Sequence, residues 1–140
     1  MQKKTAIITG GGSGLGAAIC TTLARAGAHV AVADIKQDAA TKVAKSLCEE
    51  GGQAQAFMMD VTDEAGLIDT LADIHSAMGG LDVIVNNAGV DVTLGIEELS
   101  SDDWHRVIAT NLSGPFLLAK HGLRPAAPRL RPNWMTLTCG

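Results

Sequence analysis

Short apolar runs alternate with longer stretches of helical periodicity as far as residue 121. Four runs are too short for helices: 6–8 (Ala-Ile-Ile), 29–33 (His-Val-Ala-Val-Ala), 55–59 (Gln-Ala-Phe-Met-Met) and 82–85 (Asp-Val-Ile-Val). None presents a continuous polar face, which predicts strands buried on both sides, as in a parallel sheet. Helical spacing fills the intervals over 15–26, over 38–50 and from Thr62 onward. Val43 and Leu47 stand at i and i+4 among Ala39, Ala40 and Ala44, while Lys42, Lys45 and Glu49 make a solvated face. Leu67, Ile68, Leu71, Ile74 and Met78 form the third helical stripe, with Thr62 as the expected N-cap and Asp63 and Glu64 in the first turn. A longer helix starts at Ser100 or Ser101, with Asp102 and Asp103 in its first turn. It carries Trp104, Val107, Ile108, Leu112, Phe116 and Leu117 as a broad apolar stripe, and Gly114-Pro115 predicts a kink in it. Strand and helix alternate four times across short connections, which make right-handed parallel crossovers. The expected architecture is α/β: the first half, or slightly more, of a doubly wound parallel sheet.

The chemistry concentrates where the first run meets the first helix. Thr9 closes the run, and Gly10, Gly11, Gly12, Gly14 and Gly16 follow within seven residues. A glycine turn between a buried strand and a helix start lets a ligand approach the main chain. The helix N-terminus then offers unpaired N–H groups to a phosphate. Two registers fit: Gly12-Ser13-Gly14-Leu15-Gly16-Ala17 matches the dinucleotide pattern, and Thr9-Gly10-x-x-x-Gly14-x-Gly16 is one residue wider. A plain glycine loop is the competing reading. Asp34 stands at the tip of the second strand, about 20 residues on, where a carboxylate accepts from the two hydroxyls of an adenosine ribose and repels a 2′-phosphate. Ser13 and Ile35 bring no cation beside it, although Lys36 is close, so NAD(H) is favoured over NADP(H). Asp34 could instead serve only to cap the next helix. Asn86-Asn87-Ala88-Gly89 ends the fourth strand, where open α/β sheets place their ligand crevice, although Asn and Gly are also ordinary turn residues.

Composition narrows the class. With 140 residues, 46% hydrophobic and 19% charged, the chain makes about one globular domain with a core. A net charge of −4 without a basic cluster speaks against a nucleic-acid partner. No apolar run approaches the ~20 residues that span a bilayer, and the three-residue run behind Lys3 and Lys4 is too short for a secretion signal. Cys20, Cys48 and Cys139 are odd in number and show no metal-ligand spacing, so they read as reduced thiols of a cytoplasmic protein with no metal site. His75, inside the third helix, reads as a packed or solvated side chain.

Together these residues resemble the N-terminal half of the short-chain dehydrogenase/reductase family, classical type. Thr9-Gly10-x-x-x-Gly14-x-Gly16, Asp60-Val61, Asn86-Asn87-Ala88-Gly89 and Asn111 agree in order and spacing over residues 3 to about 121. The resemblance implies a Rossmann-type fold over 1–121 and an NAD(P)-dependent oxidoreductase that interconverts an alcohol and a carbonyl by hydride transfer. It implies that Thr9, Gly10, Gly12, Ser13, Gly14, Leu15 and Gly16 hold the pyrophosphate, and that Asp34, with Ile35 beside it, holds the adenosine ribose. Asp60 and the Val61 backbone would contact adenine. Asn87, Ala88 and Gly89 would line the ribose next to nicotinamide, and Asn111 would hold a water of the family's proton relay. The full-length form would act on a small-molecule alcohol or carbonyl, and would form a homo-oligomer through the helix at 101–121.

One departure counts against catalysis by this chain. The family completes hydride transfer with a Ser on the fifth strand and a Tyr-x-x-x-Lys on the next helix, and this sequence contains no tyrosine. From Gly122 the composition changes: Pro125, Pro128 and Pro132 forbid helix, and no acid follows Asp103. Residues 122–140 therefore read as an aberrant tail outside the fold, produced by a frame shift or splice near His121, or else as a native basic tail. Residues 134–139 could imitate a strand without a fixed register. On this reading Val83, Ile84 and Val85 form an exposed sheet edge, the stripe over 104–116 loses cover, and the chain turns over little or nothing. The alternatives are a non-catalytic dinucleotide-binding module or partner of full-length subunits, and an unrelated Rossmann-type domain such as a methyltransferase, against which the 86–89 motif argues.

Overall fold

A computed structural model of the chain describes residues 4–122 and 135–138. β1 (Thr5–Thr9), β2 (His29–Asp34), β3 (Gln53–Met58) and β4 (Val83–Asn86) alternate with α1 (Gly14–Arg25), α2 (Gln37–Glu49) and α3 (Glu64–Met78). α4 (Ser101–Ile108) passes through a π turn (Ala109–Ser113) into α5 (Gly114–Gly122), and β5 (Met135–Thr138) follows. The sheet is parallel throughout, in the order β3-β2-β1-β4-β5. This is the Rossmann-type doubly wound architecture expected from the sequence.

Successive residues of a strand point to opposite faces, and here both faces are covered. Ile7, Ala31, Phe57 and Ile84 pack with Leu67, Leu71 and Ile74 of α3 and Leu118 of α5. Ala6, Ile8, Val30, Val32 and Val85 pack with Cys20 and Ala24 of α1 and Ala40, Ala44 and Leu47 of α2. That double cover is why the runs show no polar alternation. Burial pushes the Cys20 thiol up to about 12, so it behaves as a small apolar side chain. At the N-terminal edge of the sheet Asp82 accepts from Lys4 Nζ (2.7 Å) and from the Thr5 amide (2.9 Å), pinning the start of β1 beside β4.

The structure corrects two expectations and bears out a third. Asp63, not Thr62, is the N-cap of α3, because the Thr62 hydroxyl already donates to Asp60 Oδ1 at 2.7 Å. The stripe of Trp104, Leu112 and Phe116 faces outward at 52%, 63% and 62% exposure, in line with its expected loss of cover, and the helix covers the sheet with Leu118. Residues 135–138 do not stand apart from the sheet: β5 lies parallel to β4, with Val83 opposite Met135 and Asn86 opposite Thr138. Val83, Ile84 and Val85 are therefore not an open edge. The rest of the tail expectation, over 123–134 and 139–140, lies outside the described residues.

Glu64 opens α3 and binds the end of α5. Its Oε1 accepts from Lys120 Nζ at 2.9 Å and from His121 Nε2 at 2.6 Å. Lys120 first, then His121, hold the carboxyl below its ordinary value of 4.5. A depressed carboxylate contributes stability above its unfolded value and loses it as pH falls through the folded value. The melting temperature should therefore fall below about pH 4.5, and Glu64→Gln should remove part of that fall; an unchanged pH profile in Glu64→Gln would contradict the tie.

Candidate functional site

The strand order reverses between β1 and β4, and the crevice beyond their C-terminal ends is where an open α/β sheet binds ligands. Thr9, buried at the tip of β1, joins the two strands. Its hydroxyl accepts from the Asn87 amide and the Ala88 amide, both at 3.1 Å, and donates to the Val85 carbonyl at 3.4 Å. Asn87 answers from the other side: its Nδ2 donates to the Thr9 carbonyl at 3.0 Å and the Gly10 carbonyl at 3.3 Å. Asn87 and Ala88 are thus locked to the glycine turn.

Gly10 and Gly14 hold positive φ, 63° and 51°, a region that other residues rarely occupy. At Gly16 the constraint is proximity: a Cβ there would stand 2.1 Å from the Gly10 carbonyl oxygen. Around Gly14 nothing lies within 4 Å of a Cβ position, so the turn is open on that side. Ser13, the N-cap of α1, is extended and makes no side-chain capping bond. Its neighbour Leu15 remains 61% exposed in the first turn. An uncapped helix N-terminus facing an open turn has the donors and partial charge that a pyrophosphate requires.

Asp34 projects onto the same turn. Its Oδ2 accepts from the Gly12 amide and its Oδ1 from the Lys36 amide, both at 2.9 Å. The carboxylate is therefore oriented by main chain and keeps lone pairs for a ligand. The second bond is an Asx turn, and Lys36, not Asp34, is the N-cap of α2. Ile35 lies exposed beside it. Just past the end of β3, Asp60 Oδ1 takes the Thr62 amide at 2.9 Å and its hydroxyl at 2.7 Å, while Oδ2 has no hydrogen-bond partner among the described residues. Val61 is buried directly after it.

Asn111 sits at the centre of the π turn, an element that recurs at functional sites. Its Oδ1 accepts from the Val90 amide at 2.9 Å and its Nδ2 donates to the Val90 carbonyl at 2.8 Å, fixing the loop that follows Gly89. The distortion lies upstream of the expected kink at Gly114-Pro115. Pro115 has no N–H to return to residue 111, so the α register fails there, and the Gly114 amide reaches back five residues to Ala109.

The structure thus gathers Thr9, Gly10, Gly12, Ser13, Gly14, Leu15, Gly16, Asp34 and Ile35 on one ridge. Asn87, Ala88, Gly89 and Asn111 lie across the crevice, and Asp60 and Val61 follow β3. Sequence reasoning missed Val90, whose contribution is backbone and leaves no residue signature. It also gave no separate role to Asn86, which is buried with its Nδ2 unpartnered among the described residues.

Comparison with known proteins agrees with this geometry. The short chain dehydrogenase family matches residues 4–128. An uncharacterized oxidoreductase, YxjF of Bacillus subtilis, is 41% identical over 121 residues, covering 86% of this chain and 47% of that protein. The 2,3-dihydro-2,3-dihydroxybenzoate dehydrogenase of the same species is 40% identical, covering 83% and 44%. Among solved structures, the citronellol catabolism dehydrogenase AtuB of Pseudomonas aeruginosa superposes with a TM-score of 0.82 at 33% identity, over 87% of this chain and 50% of that one. The structure of gox2181 gives 0.84 at 31%, covering 86% and 48%. The chain spans about half the length of the curated relatives it matches.

Thr9→Val tests the stitch with little change of shape. It leaves two amides and a carbonyl without their partner, at a cost of roughly 1–3 kcal/mol. Denaturant unfolding should show that loss; a stability equal to that of the unaltered chain would contradict it.

Proposed function

Because the chain belongs to the short chain dehydrogenase family, we propose that it carries the dinucleotide-binding part of an NAD(P)-dependent oxidoreductase that interconverts an alcohol and a carbonyl by hydride transfer. The observation that carries this reading is the join between the glycine turn and Asp34: the Gly12 amide holds Asp34 Oδ2 at 2.9 Å, beside the uncapped start of α1. A phosphate place and a ribose acceptor thus share one ridge. The pyrophosphate lies over Gly10, Gly14 and Gly16, with Ser13 and Leu15 at its rim. Asp34 takes the adenosine ribose, and Asp60 Oδ2 takes the adenine amino group, with the Val61 backbone alongside. Asn87, Ala88 and Gly89 line the second ribose. Asn111 holds the Val90 loop and, by family resemblance, a relay water. The bound nicotinamide supplies or receives the hydride.

NAD(H) is the favoured cofactor. A 2′-phosphate about 4 Å from Asp34 meets a repulsion of about 1 kcal/mol per charge in water and about 4 kcal/mol at a partly buried surface. Either is enough for near-tenfold discrimination or more. Lys36 donates to Asp34 through its backbone, and its side chain is exposed. These 140 residues contain no tyrosine, so the Tyr-x-x-x-Lys step is not theirs, and the reading is binding without turnover. Trp104, Leu112 and Phe116, exposed along α4, the π turn and α5, favour a second reading beside it: a non-catalytic module that joins full-length subunits through this helical stretch. The setting consistent with both is cytoplasmic, and among the described residues no helix is long and apolar enough to cross a membrane.

Titration of the chain with NADH and NADPH, followed by calorimetry, tests the proposal. NADH should bind about tenfold or more tightly than NADPH, Asp34→Asn should narrow the gap, and added carbonyl substrates should not consume NADH. Failure to bind either nucleotide would overturn the proposal, and tighter NADPH binding would overturn the cofactor preference.

A further inference from the structure

We infer that Gly114 is a positioning residue for the adenine end of the nucleotide site, an inference that rests on the binding reading above. Gly114 has φ −55° and ψ −54°, ordinary helical values that alanine adopts readily. Helix propensity alone would favour alanine there. What excludes a side chain is Val61: a Cβ on Gly114 would stand 2.8 Å from Val61 Cγ2, 3.0 Å from its Cβ and 3.3 Å from its carbonyl oxygen. The branched side chain of Val61 is stiff at χ1 and buried at 7% exposure, so it has no flexible end to swing away.

The notch therefore sets where the chain runs immediately after Asp60. Asp60 Oδ1 is tied to the amide and hydroxyl of Thr62, so residues 60–62 move as a unit if Val61 is pushed. Three residues before Gly114, Asn111 grips the Val90 backbone at 2.8 and 2.9 Å. One short stretch of helix thus holds both loops: the one after β4 through Asn111 and the one after β3 through Gly114. The distance between the nicotinamide and adenine ends of the crevice is set by the π turn and the missing side chain that follows it.

The test is Gly114→Ala in the full chain, titrated with NADH and with reduced nicotinamide mononucleotide, which lacks the adenosine half. NADH affinity should fall by about tenfold, as small misplacements of a ligand group do, while mononucleotide affinity stays at the unaltered level. Adding Val61→Gly to Gly114→Ala should restore NADH binding. Unchanged NADH affinity in Gly114→Ala, or an equal loss for both ligands, overturns the inference. If Gly114→Ala does not fold, Val61→Ala reads the same contact from the other side: it should weaken NADH and spare the mononucleotide, and equal effects on the two overturn the inference. Absence of NADH binding by the unaltered chain would overturn the nucleotide reading itself, and this inference with it. Unchanged NADH binding by a folded variant overturns only the inference.

Discussion

The hydroxyl of Thr9 is the contact on which the site depends. It lies at the tip of β1, where the two halves of the sheet diverge, and it ties that strand to β4 through the Asn87 and Ala88 amides and the Val85 carbonyl. Without it, the glycine turn and the Asn87–Gly89 loop would be joined only by the Asn87 side chain. With it, the crevice at the strand-order reversal has two fixed walls. A ligand that meets fixed walls does not have to order them on binding. The double-faced core serves the same end, because Ile7, Ile8, Ile84 and Val85 hold the two strand tips in register.

From that join the remaining parts follow by short covalent steps. Gly12, two residues past Gly10, hands its amide to Asp34, so the Asp34 carboxylate and the glycine turn share a frame. Across the crevice the π turn carries Asn111 to Val90, and α5 then receives Val61 at Gly114 and Glu64 at Lys120 and His121. The helix that covers one face of the sheet is also the strap between two loops of the site. Its outer stripe, with Trp104, Leu112 and Phe116, is left facing solvent.

Much of this is legible in the residues. Gly10 and Gly14 occupy backbone regions that nearly require glycine, and Asp34 is recognisable because a carboxylate at a strand tip has few other uses. The apolar runs disclosed the parallel sheet because both of its faces are covered. What was not legible depends on three-dimensional competition. Thr62 looks like a helix cap until Asp60 is seen to occupy its hydroxyl. The kink at Gly114-Pro115 proved to be a π turn upstream, since the proline's missing donor is felt four residues earlier. The pairing of β5 with β4 could not be foreseen because a four-residue strand carries no register of its own.

Amide chemical-shift mapping of the isotope-labelled chain during addition of NADH tests the central claim most directly. The account predicts that the largest shifts fall on Gly12 to Gly16, Ile35 and Lys36, Val61, and Asn87 to Val90. The α1–α2 packing and the Lys4–Asp82 end of the sheet should stay silent. Shifts that avoid the crevice between β1 and β4, or that spread evenly over the chain, would contradict it.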